Sequence, residues 1–175
     1  MRLFLLIVLM NLIYTQSWTI DSAYSYISYE GVHPFHSFIG KTNNIDFELN
    51  CENGICKLRI VTLIDGFDSG NNNRDSNMLY YTQALLYPTI SYESEEFGFD
   101  GNFNRKLDLV GTLNFHGITY NLPIEINLKK DGNDYWGACN FKISLNVFNI
   151  DRPTLLMIPI ADTIKIDTKL KIIEK

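Results

Sequence analysis

Apolar and polar side chains alternate with a period of two along most of this 175-residue chain. Between residues 163 and 173, charged side chains alternate with four apolar ones, Ile164, Ile166, Leu170 and Ile172. Successive side chains of a β-strand point to opposite faces, so this pattern is typical of antiparallel strands with one buried face. It is incompatible with a mainly helical fold, because amphipathic helices need apolar residues every three or four positions.

Further segments alternate in the same way and are separated by turn-forming sequences. The alternating segments are 107–115, 119–128 and 135–147, and the turns lie at 53–54, 115–117 and 130–133. Pro123 cannot donate to a β-ladder, so we expect a bulge or a free edge there. The sequence predicts an all-β fold of about eight antiparallel strands, which the pattern alone leaves as either a closed barrel or a sandwich.

One segment, near residues 75–86, lacks alternation and predicts a single short helix. Asn73 or Asp75 could cap its start, and the residue before Pro88 is held away from helical geometry, which would end it. Arg74 and Asp75 are explained more simply by a helix start or a local ion pair than by an active-site pair.

The Asn53-Gly54 dipeptide predicts a two-residue hairpin turn and, with it, a strand register. This register pairs apolar with apolar and acid with base: Leu49 with Leu58, Phe47 with Ile60, and Glu48 with Arg59. Turn chemistry and the polarity of the two faces therefore agree on one register.

In this register Cys51 and Cys56 face each other in a non-hydrogen-bonded pair, at a separation that a disulfide accepts. We favour a disulfide between them, with free thiols as the alternative. Zinc binding is disfavoured because two thiols here lack the second pair of ligands that a structural site needs. The third cysteine, Cys139, lies on a predicted inward face and is expected to be an inert buried thiol.

The first seventeen residues have the composition of a cleavable secretory signal peptide. Arg2 is followed by an apolar run from Leu3 to Ile13, and small or polar residues stand at Thr15 and Ser17. The run is too short to cross a bilayer as a helix, which takes about twenty residues. We therefore expect residues 1–17 to be removed after Ser17, residues 18–175 to form one domain, and the protein to be secreted or periplasmic.

Charge and composition exclude some classes of partner. The chain carries 15 basic and 20 acidic residues, a formal net charge of −5, without a basic stripe that could hold nucleic acid. No second apolar run is long enough to span a bilayer. From the charge we expect no nucleic-acid partner, and from the lack of such a run we expect that the protein is not an integral membrane protein.

Candidate catalytic and metal-binding residues are few. His33, His36 and His116 are the only histidines, and Pro34 disrupts the helical spacing that would make His33 and His36 a ligand pair. His116 is interpreted as a surface residue of a tight turn. No nucleophile elbow or phosphate-binding loop is present. We expect no metal site and no enzymatic activity.

The stretch from Phe67 to Glu96 resembles the signature region of the YceI-like family. It contains a turn at Asp68-Ser69-Gly70, the dipeptide Arg74-Asp75, a short helix, and Tyr87-Pro88 before a strand. Other matching segments are 18–21, 27–29, 32–33, 109–113, 116–119 and 161–164. Tyr24-Ser25 and residues 148–153 depart from the family pattern.

The resemblance implies an extended, lipocalin-like antiparallel β-barrel over residues 18–175, with an isoprenoid-type lipid lying lengthwise inside it. No cofactor is expected other than a bound polyprenyl or quinone-like lipid. The residues expected to line the ligand cavity are Tyr29, His33, Phe47, Leu49, Leu113, Phe115, Phe141, Ile143 and Leu145. His33 is expected to contact the polar end of the ligand at the mouth of the barrel.

One alternative to a ligand cavity stays open. An eight-stranded barrel can instead fill itself with its own side chains, and the abundant aromatic residues fit an ordinary packed core equally well. The protein would then be a ligand-free envelope scaffold or stress-related protein that acts through protein contacts. The sequence also leaves open whether the chain is a monomer or a homodimer.

Overall fold

The computed structural model describes residues 15–174. The predicted signal peptide falls mostly outside the described residues, and only its last three positions, 15–17, lie within them. These three begin the first strand. Within residues 15–174, no helix is long and apolar enough to cross a bilayer.

The part of the chain that the structure describes contains fifteen β-strands, one α-helix and two short 3₁₀ helices. Thirteen of the strands belong to one antiparallel sheet, and β13 and β14 form a separate hairpin. The helices are η1 (Ile64–Gly66), α1 (Asn72–Tyr81) and η2 (Asn146–Phe148). The strands are β1 (Thr15–Ile20), β2 (Tyr26–His33), β3 (His36–Thr42), β4 (Ile45–Glu52), β5 (Ile55–Leu63), β6 (Thr89–Ser94), β7 (Phe97–Gly98), β8 (Arg105–Leu109), β9 (Gly111–Phe115), β10 (Ile118–Asn121), β11 (Ile124–Asp131), β12 (Asp134–Ser144), β13 (Thr154–Leu155), β14 (Ile158–Pro159) and β15 (Thr163–Glu174).

Several neighbouring strands continue one another, so the large sheet, apart from the short β7 that pairs with β5, consists of eight long runs: 15–33, 36–52, 55–63, 89–94, 105–115, 118–131, 134–144 and 163–174. Each run pairs with the runs before and after it, and the last run, β15, returns to pair with β1 and β2. The sheet therefore curls round on itself as an antiparallel barrel, which confirms the predicted fold and excludes a sandwich. Pro123 lies between β10 and β11, outside both strands.

The two ends of the barrel differ. One end, here called the disulfide end, carries the β4–β5 hairpin, whose register matches the predicted one pair for pair. Cys51 and Cys56 are directly opposite there, with Cα atoms 4.0 Å apart, and form a disulfide. The other end, here called the helix end, carries α1, both 3₁₀ helices and the β13–β14 hairpin.

The bounds predicted for the helix were wrong at both ends, because α1 begins three residues earlier and stops five residues earlier. Its cap is Asn71, whose side-chain oxygen accepts a hydrogen bond from the Arg74 backbone N–H at 3.0 Å. Helical geometry ends where Gln83 adopts a left-handed conformation with φ of 47°. The apolar residues that follow Gln83 suggest a longer helix in the sequence, but the turn has already broken it.

Candidate functional site

An apolar cavity of about 150 Å³ occupies the barrel interior towards the disulfide end. Inward side chains of the long strands line it, including the predicted residues Phe47, Leu49, Leu113 and Phe141. The polar side chains on its wall are Thr62, Thr168 and Tyr92, and the Tyr92 hydroxyl already donates to the Leu122 carbonyl oxygen at 3.3 Å. We call this space the lower cavity; its wall offers little to a polar ligand.

Aromatic rings cover the disulfide end of the lower cavity. Phe103 packs against Trp18, Phe99 and Tyr135, with ring centroids 5.4, 5.2 and 4.4 Å away respectively. Phe99 and Phe103 also line the cavity itself. Because Trp18, Phe99 and Phe103 are buried, these rings shield this end of the cavity from water.

A second cavity, of about 340 Å³, lies at the helix end between α1 and the segment that leads into β13. The predicted residues Tyr29, His33 and Leu145 line this upper cavity. Its volume lies within the range of about 300–1,000 Å³ that is usual for small-molecule sites. Unlike the lower cavity, it has a polar side, formed by His36, Asn71, Asn73, Arg74 and Asn77.

The two cavities adjoin each other along the barrel axis. Five residues belong to both walls: Phe67, Ile90, Phe115, Ile143 and Ile166. All nine residues predicted to line the interior thus lie on one wall or the other, with Phe115 and Ile143 where the walls meet. That these residues bind a ligand stays a prediction.

Part of the wall of the upper cavity could not be predicted from the alternation of side chains along strands. Met78 and Tyr81 of α1, and Pro153, Thr154 and Leu155 beyond η2, line the upper cavity from outside the large sheet. These residues lie in a helix or in irregular segments, where a two-residue period carries no information about direction. The family-like position of Arg74 was the only sequence signal near this part of the wall.

The hydroxyl of Tyr29 is the most notable polar group in the upper cavity. It is buried and has no hydrogen-bond partner among the described residues. Burial, followed by the negative charge of Asp75, raises the pKa of Tyr29 to about 12, so the hydroxyl keeps its proton. Its ring lies across Gly40, where a β-carbon would come within 2.4 Å of the ring, so glycine is needed at this position.

Arg74 supplies a positive charge beside the same cavity. Its guanidinium donates to the Ser69 carbonyl oxygen at 3.3 Å and lies 5.1 Å from the centroid of the Phe38 ring. The neighbouring Asp75 instead accepts from the Ser69 backbone N–H, at 3.2 and 3.3 Å. Arg74 and Asp75 therefore brace the start of α1, and no ion pair of Arg74 is found within residues 15–174.

His33 does not have the environment expected of a contact for a polar ligand end. Its ring is almost fully buried, Nδ1 accepts from the Phe35 backbone N–H at 3.4 Å, and Nε2 lies 3.1 Å from the Ile158 carbonyl oxygen. Both ring nitrogens already have backbone partners. His33 therefore ties the β2–β3 turn to the β13–β14 hairpin.

The interpretation of His116 as a surface residue was wrong, although its place in a tight turn was right. His116 has a φ of 52° and is only 9% exposed. Its Nδ1 donates to the Phe148 carbonyl oxygen at 2.7 Å, and its ring packs 4.8 Å from that of Tyr87. The segment that contains η2 covers this turn, so His116 is part of the interior at the helix end.

Cys139 lies on the wall of the lower cavity with its thiol buried. Burial raises the pKa of this thiol to about 11. Across the described residues, no three His, Cys, Asp or Glu side chains are grouped closely enough to hold a metal ion.

We expect Cys139 to react with a thiol reagent at pH 8 at least tenfold more slowly in the native protein than in denaturant, because the reactive thiolate is nearly absent and shielded. The raised pKa of Cys139 also lowers the free energy of unfolding as pH rises from about 9 to about 11. In this range the unfolded state releases the thiol proton of Cys139 and the folded state keeps it. Denaturant unfolding at pH 8 and pH 10.5 measures this loss, which should be smaller in Cys139→Ala. Fast labelling of the native protein would contradict a buried thiol.

Comparison with protein families gives one clear match. The model of the YceI-like domain family matches residues 18–172. A UPF0312 protein of Vibrio parahaemolyticus is 31% identical over 122 residues, which span 66% of this chain and 64% of that protein. A UPF0312 protein of Yersinia pestis is 26% identical over 142 residues, 74% of this chain and 72% of that protein.

Solved structures share the fold at low sequence identity. BcnA of Burkholderia cenocepacia superposes with a TM-score of 0.75 at 16% identity, covering 89% of this chain and 99% of that one. A polyisoprenoid binding domain from Saccharophagus degradans, described as implicated in plant cell wall breakdown, gives a TM-score of 0.69 at 13% identity, covering 90% and 97%.

Proposed function

We propose that this chain, which belongs to the YceI-like domain family, is a binding protein that holds a long isoprenoid-type lipid inside its barrel. We also propose that it has no enzymatic role. The observation that carries this proposal is the pair of adjoining cavities along the barrel axis, with an almost wholly apolar lower part. The fold shared with a polyisoprenoid binding domain is consistent with this use of the interior.

The apolar tail of the lipid would occupy the lower cavity. Each methylene group moved from water into such a space contributes about 0.8 kcal/mol, so a long chain gains affinity without specific polar contacts. The aromatic rings at the disulfide end would close the space around the tip of the tail. This arrangement favours a slender, unbranched or methyl-branched chain over a bulky ring system.

The polar end of the lipid would lie in the upper cavity. The free hydroxyl of Tyr29 could donate to an oxygen of the ligand, and Arg74 would add a positive charge beside it. A buried hydroxyl without a partner is costly, and a ligand oxygen would remove that cost. We therefore expect a ligand with an oxygen at one end, such as a polyprenol or a quinone.

Native mass spectrometry of the protein, purified gently from its own source, tests the proposal. A carrier should show an added mass that organic solvent extracts as an apolar, isoprenoid-type lipid. A protein that carries no extra mass and takes up no polyprenol on incubation would instead be a packed scaffold that acts through protein contacts.

Replacing Tyr29 with phenylalanine tests the polar end of the site. We expect Tyr29→Phe to weaken binding of solanesol, a long polyprenol, by roughly threefold to tenfold, because one hydrogen bond contributes about 0.5–1.5 kcal/mol. Binding of squalene, a hydrocarbon without an oxygen, should not change. Competition with a fluorescent lipid measures both affinities. An equal loss for both ligands would mean that the hydroxyl acts on the cavity shape and not on the ligand.

We further propose that the protein works outside the cytoplasm. The disulfide between Cys51 and Cys56 fits an oxidising compartment, and residues 1–17 have the composition of a signal peptide. Cleavage after Ser17 would leave Trp18 at the start of the chain, paired with Leu49 and Glu174. N-terminal sequencing of the natively produced protein should begin at or near Trp18, and a product that retains Leu3 to Ile13 would refute the proposal.

A further inference from the structure

The β13–β14 hairpin has an unusual turn. Thr154 pairs with Pro159 and Leu155 with Ile158, so Leu156 and Met157 alone form the loop. Both have positive φ, 51° and 66°, as in the two-residue turns that normally carry Asn-Gly. Bulky side chains are disfavoured in this conformation, so a leucine and a methionine here need an explanation other than turn formation.

The two turn residues are also exposed. Leu156 is 76% and Met157 95% exposed, and the segment from Pro153 to Ile160 contains no charged residue. Phe35, at the tip of the neighbouring β2–β3 turn, is 65% exposed. His33 joins the two turns through its hydrogen bonds to Phe35 and Ile158. Phe35, Leu155, Leu156, Met157 and Ile158 therefore form one projecting apolar surface, which we call the apolar tip.

The apolar tip lies beside the entrance to the interior. Leu155 belongs both to the tip and to the wall of the upper cavity, and His33, which anchors the tip, lines that wall as well. A lipid that leaves the upper cavity past Leu155 would thus meet apolar side chains before it met water. Exposed apolar surface next to such an opening is characteristic of an interaction site.

We propose that the apolar tip inserts into the surface of a lipid bilayer and places the upper cavity against it, so that a lipid can pass between the two. This inference rests on the proposed function. Side chains on a projecting turn can enter the boundary between headgroups and acyl chains, which lies roughly 5–10 Å deep. Five side chains are too few for a typical protein interface, which uses about 20–30 residues on each partner.

The charge of the molecule indicates which kinds of bilayer the apolar tip would bind. The tip has no lysine or arginine that would attract anionic lipids, and the chain as a whole carries a net charge of −5. Insertion would depend on apolar contact and would be weakened by a negatively charged surface. We expect binding to phosphatidylcholine vesicles to change little with salt, and binding to vesicles rich in phosphatidylserine to be weaker at low salt.

The double substitution Leu156→Asn with Met157→Gly isolates the tip, because it installs the dipeptide that this turn prefers. Co-sedimentation with phosphatidylcholine vesicles should show at least about a tenfold drop in binding, since two apolar side chains no longer enter the bilayer. Stability against urea should stay equal or rise. Ile55→Asn, which removes an exposed apolar side chain at the disulfide end, should leave vesicle binding unchanged.

A second measurement separates this inference from the proposed function. Uptake of solanesol from detergent micelles depends on the cavities alone and should be unchanged in the double variant. If the wild type takes up solanesol but does not bind vesicles, the docking inference fails and lipid binding stands. If it binds vesicles but takes up no solanesol, the proposed function and the passage of a lipid fail, and only the insertion of the tip stands. A dimer that the double variant abolishes, without vesicle binding, would make the tip an interface between copies and overturn the inference.

Discussion

Replacing Gly137 with leucine should reduce solanesol uptake by at least tenfold while the barrel stays folded. Gly137 faces the lower cavity, and an added β-carbon would lie 3.3 Å from Ile172 Cδ1 and 3.8 Å from Ile126 Cγ2. Its backbone is not in the left-handed region, so a larger residue meets no conformational barrier there. The new side chain would take space that the lipid tail needs, at a cost in stability of about 1–3 kcal/mol from crowding.

A matched control distinguishes loss of space from loss of fold. Asn140→Leu adds a leucine to the same strand, β12, at an exposed position, and should leave uptake unchanged. Leu113→Trp offers a second way to fill the interior, at the level where Tyr92 pairs with Leu113. Unchanged uptake in Gly137→Leu would place the ligand outside the lower cavity. If instead Gly137→Leu and Leu113→Trp both unfold, and the wild type holds no lipid, the interior is a packed core.

Replacing Phe148 with alanine should cause the largest loss of stability, about 3–5 kcal/mol, which is typical for a fully buried aromatic residue. Phe148 is only 1% exposed and packs against Phe115 and Tyr120, with ring centroids 5.4 and 6.0 Å away. Small domains are stable by about 5–15 kcal/mol in total, so this variant should approach unfolding at room temperature.

Urea denaturation followed by tyrosine and tryptophan fluorescence measures this loss. Val147→Ala changes the adjacent residue, which is 42% exposed, and should alter the free energy of unfolding by less than about 0.5 kcal/mol. A loss below about 1 kcal/mol in Phe148→Ala would mean that the η2 segment opens independently of the barrel. His116, which donates to the carbonyl of Phe148, would then be exposed by the same opening.

The strand faces and the hairpin register could be predicted because they are set locally. The direction of a side chain in a strand follows from its position alone, so Phe47, Leu49, Leu113 and Phe141 were identified as inward-facing without knowledge of the neighbouring strands. Asn53-Gly54 fixed the pairing of Cys51 with Cys56 for the same reason, since a two-residue turn leaves one register.

Tertiary structure alone decided the burial of turns and the form of the helix end. The sequence suggests a surface turn for His116 and a ligand contact for His33. Instead, residues 145–160 fold over both side chains, and the two rings hydrogen-bond to the carbonyl oxygens of Phe148 and Ile158. Closure of the barrel likewise depends on pairing between β15 and the first two strands, more than a hundred residues away. A local sequence pattern sets the direction of a side chain, but distant segments determine what covers it.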